Sequence, residues 1–421
     1  MIEMIQASNF RCLRNIRQEI GPFQVLVGPN ASGKTTFIDA IRFLSIMVRK
    51  GIDAAVGEFS KGDFSDLLWN GEGDYFELAV EAAIPDELRS KTVIENEWQR
   101  IRYEVQIGTD PDGRPAILQD RGSLIRLEPV TKMRQPPLFP MAASPVETII
   151  SHSGGPGSRK IFGKSRTGND SFNSEKDKRA GKGWIHSLKT GSQTPSLSSI
   201  PADEDKFAIA IWLKTLLAEG IQHFVLNSAS IREMSKPGQG TTFLPDGSNL
   251  PWVAEDLKTK HRKCFQAWLR HVQTALPQIA DIEIRERQDI RHKYMMVRYQ
   301  GMAHPVPSWL VSDGTLRLLA LTLPAFIPGL KGVFLIEEPE NGIHPKATET
   351  MFQSLSSMHD AQVLMCTHSP IVLSVCDPHQ ILCFATDNGI TDIVRGDRHP
   401  ALANWQGDPN LSVLFASGVL G

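Results

Sequence analysis

Two periodicities alternate along the chain. Residues 23–27 (FQVLV) are uninterruptedly apolar and run straight into Gly28, the pattern of a buried strand. Residues 35–48 follow with apolar side chains at Phe37, Ile38, Ile41, Leu44 and Met47, the spacing of one helix face. Segments 76–82 (FELAVEA) and 101–107 (IRYEVQI) alternate as half-buried antiparallel strands do, and 116–127 (AILQDRGSLIRL) predicts a further hairpin. Helical spacing returns at 206–218 and near 252–275, and 279–286 with 293–300 predicts another strand pair. From 312 onward a helix after Gly314 is followed by strands at 332–336, 362–366 and 380–384. Strand and helix in alternation are the signature of a parallel sheet with helices on its faces.

Between these regions the composition shifts. Residues 151–200 are rich in Ser, Gly and Lys and show little periodicity. Over 159–189 nine basic residues face three acidic ones, a local net of +6. The plain expectation is a solvated, flexible insertion. The sharper one is an arm that touches nucleic-acid phosphates, with Trp184 as the one aromatic in its centre able to stack on a base.

The whole chain argues for no such partner, because its 421 residues carry a net charge of only −2. A length of 421 predicts two domains, or one core with a large insertion, and 41% hydrophobic residues are enough for a substantial core. The five cysteines (Cys12, Cys264, Cys366, Cys376, Cys383) include no CxxC pair, which fits a reduced, cytoplasmic protein without disulfides or zinc. The N-terminus is charged where a signal peptide needs an apolar run. No stretch approaches ~18 apolar residues, so no membrane span is expected.

Four motifs bring chemistry. Gly28-Pro29-Asn30-Ala31-Ser32-Gly33-Lys34-Thr35 matches GxxxxGK[ST] and sits between the strand at 23–27 and the helix at 35–48. Its glycines let the backbone wrap a phosphate, and its N–H groups and the helix N-terminus face the anion. Lys34 then reaches the β- and γ-phosphates and the Thr35 hydroxyl binds Mg²⁺. The second motif, Val333 to Glu340 (VFLIEEPE), is a buried strand delivering carboxylates at its C-terminal end, where parallel sheets bind ligands. Glu337 is the candidate Mg²⁺ holder and Glu338 the candidate base for an attacking water.

The third motif, Ser312-Asp313-Gly314, opens a helix and reads either as an ordinary N-cap or as a second anion site. The fourth, Thr367-His368-Ser369-Pro370, follows the strand QVLMC. It places His368 where it can reach a γ-phosphate held beside the neighbouring strand, unless the histidine is merely structural.

Taken in order, the four resemble the ABC ATPase head, within it the SMC/RecF/OLD-like group, with Walker A, signature, Walker B and switch histidine. IQASNFRCLRNI before GPNASGKT, VSDGTLRLLAL, FLIEEPENGIHPKA and THSP are most similar to bacterial OLD-like ATPases. The likeness is firm over 1–50 and 305–385. It implies an α/β P-loop NTPase of ABC-head type, with a mixed or parallel sheet, flanking helices, an antiparallel β subdomain and a largely helical insertion. The implied division is 1–130 for the first part of the head, 131–205 for the polar insertion, 206–278 for a helical subdomain and 279–421 for the second part.

The resemblance also implies ATP with Mg²⁺, bound by residues Gly28 to Thr36 (Thr36 included) with Arg11, and Arg14 near phosphate. Lys34, Glu338 and His368 take the catalytic roles. Ser312, Asp313 and Gly314 would complete the site in trans in a homodimer or larger even-numbered oligomer, and Asn341 and Gly342 would fall in the loop crossing the dimer interface. Three features depart from the pattern: Glu337 replaces the usual Walker B aspartate, the signature reads SDG rather than SGG, and no Q-loop glutamine stands between 50 and 75. Only about 50 residues follow the histidine motif, too few for a Toprim nuclease, so a nuclease or other effector is expected as a separate chain. Standalone ATPases of this kind are often the sensor or regulator half of two-gene anti-phage systems such as PARIS or Septu, and the resemblance implies a role of that type. The competing expectations are a weakly hydrolysing scaffold that sequesters an effector or toxin, and a transporter ATPase.

Overall fold

The computed structural model describes residues 1–89, 98–126, 148–151, 157–176, 185–387 and 389–399. They separate into two compact units: residues 1–21, 30–221 and 385–393 form the first, and 22–29, 222–384 and those from 394 the second.

The first unit is built on an eight-stranded antiparallel sheet. Numbered along the chain, its strands are β1 (Ile2–Phe10), β2 (Leu13–Glu19), β4 (Tyr75–Ala83), β5 (Arg100–Thr109), β6 (Pro115–Ile125), β7 (Ser158–Lys164), β8 (Asp170–Asn173) and β9 (Ile185–Leu188), in the order β2-β1-β4-β5-β6-β7-β8-β9. Among the described residues four helices accompany it: α1 (Lys34–Lys50), α2 (Ile52–Phe59), α3 (Asp86–Arg89) and α4 (Glu204–Ala218). Helix α1 buries Phe37, Ile38, Ile41, Leu44 and Met47, as its spacing predicts, together with Phe43. Phe43 meets Phe10 of β1 and Phe76 of β4 with ring centroids 5.9 and 5.4 Å apart. Such edge and tilted aromatic contacts add to the area they bury, so this trio sets how α1 lies on the sheet.

Two expectations fail here. Residues 116–125 of the segment expected as a hairpin at 116–127 belong to one continuous strand, β6, paired with β5 and β7. The polar QDRG stretch imitates a turn, but Asp120 is buried and accepts hydrogen bonds from the backbone N–H groups of Lys164 and Ser196, both at 2.7 Å. Likewise, the polar stretch expected as a flexible insertion within 131–205 contains strands β7, β8 and β9 among its described residues. Several of its described charges are taken up inside the fold. Lys164 is buried and pairs with Asp170 at 2.5 Å, and Arg159 donates to the carbonyls of Ser174 (2.7 Å) and Glu175 (3.2 Å). The +6 count therefore overstates the charge offered to a partner. Lys178, Arg179, Lys182 and Trp184 lie outside the described residues.

Glu175 holds α4 in an unusual way. The helix is kinked at Phe207, and the backbone N–H groups of Ile209 and Ala210 donate to the Glu175 carboxylate at 2.9 and 2.8 Å. Burial pushes this carboxyl up to about 7, against the pull of those two hydrogen bonds. A raised folded-state pKa means the native protein binds more protons than the unfolded chain between about 4.5 and 7. The group's contribution to stability is thus full below that window and is lost as pH rises through it. Glu175→Gln, which does not titrate, is expected to gain stability relative to wild type between pH 5 and pH 8, by up to about 3 kcal/mol. Urea denaturation of both proteins at the two pH values checks this, and a constant gap would refute it.

A six-stranded sheet runs in the order β10 (Ile221–Phe224), β14 (Gly332–Glu337), β15 (Ala361–Cys366), β3 (Phe23–Val27), β16 (Ile381–Asp387) and β17 (Ile390–Arg395), and the second unit contains β14, β15, β3, most of β10 and the first part of β16. β14, β15, β3 and β16 pair in parallel. β3 and β15 are buried throughout, which is why both read as near-continuous apolar runs. The polar member of β3, Gln24, donates its side-chain amide to the Gln380 carbonyl at 2.6 Å. A three-stranded antiparallel sheet, β11 (Ile279–Arg287), β12 (His292–Tyr299) and β13 (Val306–Pro307), realises the predicted pair at 279–300.

The helices of this unit are α5 (Ser228–Arg232), α6 (Leu250–Lys260), α7 (Arg262–Ala275), α8 (Asp313–Thr322), α9 (Pro345–Ser356) and α10 (Pro370–Ser374). Trp268 of α7 is fully buried and donates its indole N–H to Thr322 at 2.9 Å. The helical stretch expected as one subdomain at 206–278 is divided, with α4 in the first unit and α6 and α7 in the second.

Candidate functional site

β3 ends at Val27, and the chain turns through Gly28–Gly33 into α1. Positive φ values at Gly28 (150°), Ala31 (63°) and Gly33 (99°) curl this loop. A Cβ on Gly33 would lie 2.5 Å from Thr391 Oγ1 and 3.1 Å from Cys12 Sγ, so only glycine fits. Helix α1 brings no capping side chain and no acidic residue to its first turn. A helix N-terminus left in this condition attracts anions. Among the described residues the Ser32 hydroxyl is buried and makes no hydrogen bond. The loop thus has a polar atom to give a ligand, and the fit to a phosphate is good. Lys34 is only 7% exposed, Thr35 is exposed, and Thr36 is intermediate.

Arg11, with a left-handed φ of 51°, binds Asp39 of α1 at 2.8 Å. Arg14 stacks its guanidinium over Trp69, 4.4 Å from the ring centroid.

The second unit gathers its chemistry at one sheet edge. In register, Glu337 lies opposite Cys366, and Cys366 opposite Leu26. Because the three strands are parallel, Glu337 and Glu338, Thr367 and His368, and Gly28 all emerge at their C-terminal ends, where such sheets place ligand sites. Glu338 leaves the strand at φ 45°, a conformation costing about 1–3 kcal/mol for a residue with a side chain. Its N–H donates to the Cys366 carbonyl at 2.9 Å, and its carboxylate accepts from the Asn341 amide.

Glu340 ties this turn to the histidine motif. One of its carboxylate oxygens accepts from the Thr367 hydroxyl (2.6 Å) and from the His368 N–H (3.1 Å). Glu337 meets His223 of β10, with Nε2 3.1 Å from Oε1. A carboxylate and a threonine hydroxyl are the donors Mg²⁺ takes when phosphates and water complete its shell.

Ser312 caps α8 in the ordinary way, accepting from the Thr315 N–H at 3.4 Å. It is also one wall of a groove of about 930 Å³ shared with Gly314, Gly342, His344 and Lys346. Asp313 pairs with Arg232 at 2.6 Å. A Cβ on Gly314 would lie 2.5 Å from the Gly342 carbonyl oxygen. Gly314→Ala is therefore expected to push α8 and this turn apart and to cost about 1–3 kcal/mol in urea denaturation. An unchanged midpoint would show that the contact yields freely.

The structure thus brings Glu337, Glu338, His368 and Gly28 to one edge, and Ser312, Gly314 and Gly342 to one groove. His223, Arg232 and Glu340 escape sequence reasoning. Glu340 is readable in retrospect, two residues past Glu338 in the same motif. His223 and Arg232 carry no such signal, since the strand IQHF has no apolar run and α5 is only five residues long.

This fold, with the Gly28–Thr35 loop and the carboxylates at the strand ends, is similar to P-loop ATPase heads of the SMC type. Residues 23–374 match the family described as "AAA domain, putative AbiEii toxin, Type IV TA system", and the chain belongs to that family. It is 49% identical over 41 residues to an OLD nuclease of Thermus scotoductus, a match spanning 10% of this chain and 8% of that protein. Its fold is similar to an Smc head bound to the C-winged helix domain of ScpA, at 13% identity and TM-score 0.52 over 93% of this chain and 97% of the other. A second Smc head, from Pyrococcus furiosus and bound to the C-terminal domain of ScpA, gives 12% identity and TM-score 0.50 over 93% and 95%. Among the described residues no helix is long and apolar enough to cross a membrane.

Proposed function

We propose that the chain binds ATP with Mg²⁺, hydrolyses it, and uses it to join two copies of itself, thereby controlling a separate effector. The observation behind this reading is the parallel register that sets Glu337 and Glu338 at the edge from which the Gly28 loop leaves. In this reading the loop and Lys34 hold the phosphates, and Thr35 and Glu337 hold Mg²⁺. The metal, when bound, neutralises phosphate charge. Glu338 accepts a proton from the attacking water, and His368 contacts the γ-phosphate.

Ser312, Asp313 and Gly314, with Asn341 and Gly342, face the nucleotide of the second copy. ATP then favours the joined state because its γ-phosphate has contacts there that the separated copies lack. The fold shared with two Smc heads, each bound to a ScpA domain, supports a separate partner chain. The family's toxin and Type IV TA description, and the OLD nuclease relative, support an effector partner in anti-phage defence or DNA maintenance. One observation favours the weakly hydrolysing scaffold instead: the Glu338 carboxylate is already engaged by Asn341.

Light scattering with and without ATP and Mg²⁺ tests the core of the proposal. The mass is expected to double with nucleotide, most fully when hydrolysis is blocked. A mass that ignores nucleotide refutes it.

A further inference from the structure

Two of the chain's departures from the ABC pattern are carboxylates that ought to be troublesome. Glu337 is one methylene longer than the aspartate it replaces, so its carboxylate has an extra rotatable bond to immobilise. Asp313 puts a negative charge in the first turn of α8, where the helix N-terminus would otherwise be open to a phosphate. The structure gives each a partner, and both partners come from one short segment.

His223 stands on β10, the strand beside β14 in the sheet, with Nε2 3.1 Å from Glu337 Oε1. Nine positions later, Arg232 closes α5 with Nε 2.6 Å from Asp313 Oδ1. The segment is held firmly. Phe224 packs on Phe334 of β14 with ring centroids 5.2 Å apart. The N–H groups of Val225 and Asn227 donate to Pro245 and Asp246 carbonyls, both at 3.1 Å. Asn227 caps α5 through Ala229 and Ser230. Arg232 also donates to the Trp309 carbonyl at 3.2 Å, and its own carbonyl accepts from Ser308 at 3.0 Å. These contacts fix the approach to Ser312 from the same segment.

We propose that His223 and Arg232 are positioning residues for the nucleotide chemistry. His223 holds the long Glu337 side chain in the one orientation that serves Mg²⁺. Arg232 turns Asp313 aside and cancels its charge, keeping the α8 N-terminus receptive to the phosphates of a second copy's nucleotide. A partner behind a metal ligand restricts its orientation, and losing it commonly costs ten- to a hundredfold in metal affinity or activity. An ion pair as exposed as Arg232–Asp313 adds little stability, so its value lies in where it places the charge. Because one segment holds both groups, it also links a copy's own nucleotide edge to the surface it offers its twin.

The inference rests on the nucleotide-site reading above, and the test separates the two. The full chain is titrated with Mg²⁺ while the binding of a fluorescent ATP analogue is followed, and its mass is measured with ATP. His223→Ala is expected to raise the Mg²⁺ requirement about tenfold. His223→Gln, which keeps a donor at similar reach, recovers most of the loss. In a Glu337→Asp background, whose shorter side chain no longer needs the tether, His223→Ala has no further effect. Arg232→Ala is expected to weaken ATP-dependent self-association about tenfold, and Arg232→Ala with Asp313→Gly restores it. An unchanged Mg²⁺ requirement in His223→Ala overturns the inference, as does an equal loss in the Glu337→Asp background. If Lys34→Ala still binds the analogue, the nucleotide-site reading itself fails. If Lys34→Ala loses binding while His223→Ala and Arg232→Ala match wild type, only this inference fails.

Discussion

A Lys34→Ala protein is expected to lose ATP affinity by roughly 30- to 150-fold, the equivalent of about 2–3 kcal/mol. Lys34 is the first residue of α1, and its side chain is almost wholly out of water at 7% exposure. An ammonium in that setting interacts strongly with a phosphate, because little solvent screens it. The backbone donors of the loop remain in the variant, so some affinity persists. Helix α1 itself is anchored by Phe37, Phe43 and its other buried residues, well away from the substitution, so the fold is expected to survive. ATP-dependent doubling of mass is lost together with affinity. Isothermal titration and light scattering on the same preparation check both. Full affinity with full self-association would remove the functional proposal.

Glu338→Gln is expected to behave oppositely, with ATP affinity within a few fold of wild type and turnover lower by about 10²–10⁴, the worth of a positioned general base. The substitution preserves shape. Glutamine can adopt the φ of 45° at the same cost as glutamate, and its amide oxygen can still accept from Asn341. What it removes is the capacity to take a proton. ATP-bound pairs of chains then accumulate, visible as a stable doubled mass, whereas wild type with ATP returns to single chains as nucleotide is consumed. Phosphate release measured beside mass separates the two readings of the function. A wild-type rate barely above that of the variant would favour the scaffold.

The charge count that suggested a nucleic-acid arm includes residues that the fold uses internally, Lys164 and Arg159 among them. Deleting 159–189 would remove β7, β8 and β9 from an eight-stranded sheet and expose Asp120 and β6. A loss of DNA binding after that deletion would therefore report damage to the fold. Single replacements at exposed cations are the cleaner probe.

The sequence by itself determined the class of this protein. A loop that curls round an anion between a buried strand and a helix needs glycine at fixed positions. A strand buried on both faces is nearly all apolar, so residues 23–50 and 332–366 declare themselves locally. The tertiary structure decided the rest. Whether Asp120, Lys164 and Glu175 belong to a turn, a tail or a buried network depends on partners 40 or more residues away for Asp120, on strand register for Lys164 and on helix α4 for Glu175. The same holds for His223 with Glu337, Arg232 with Asp313 and Glu340 with His368. Hydrophobic burial leaves a period in the chain because it repeats with each turn or pleat. A single long-range polar contact leaves none, because its energy comes from desolvating two particular groups that only the folded sheet brings together.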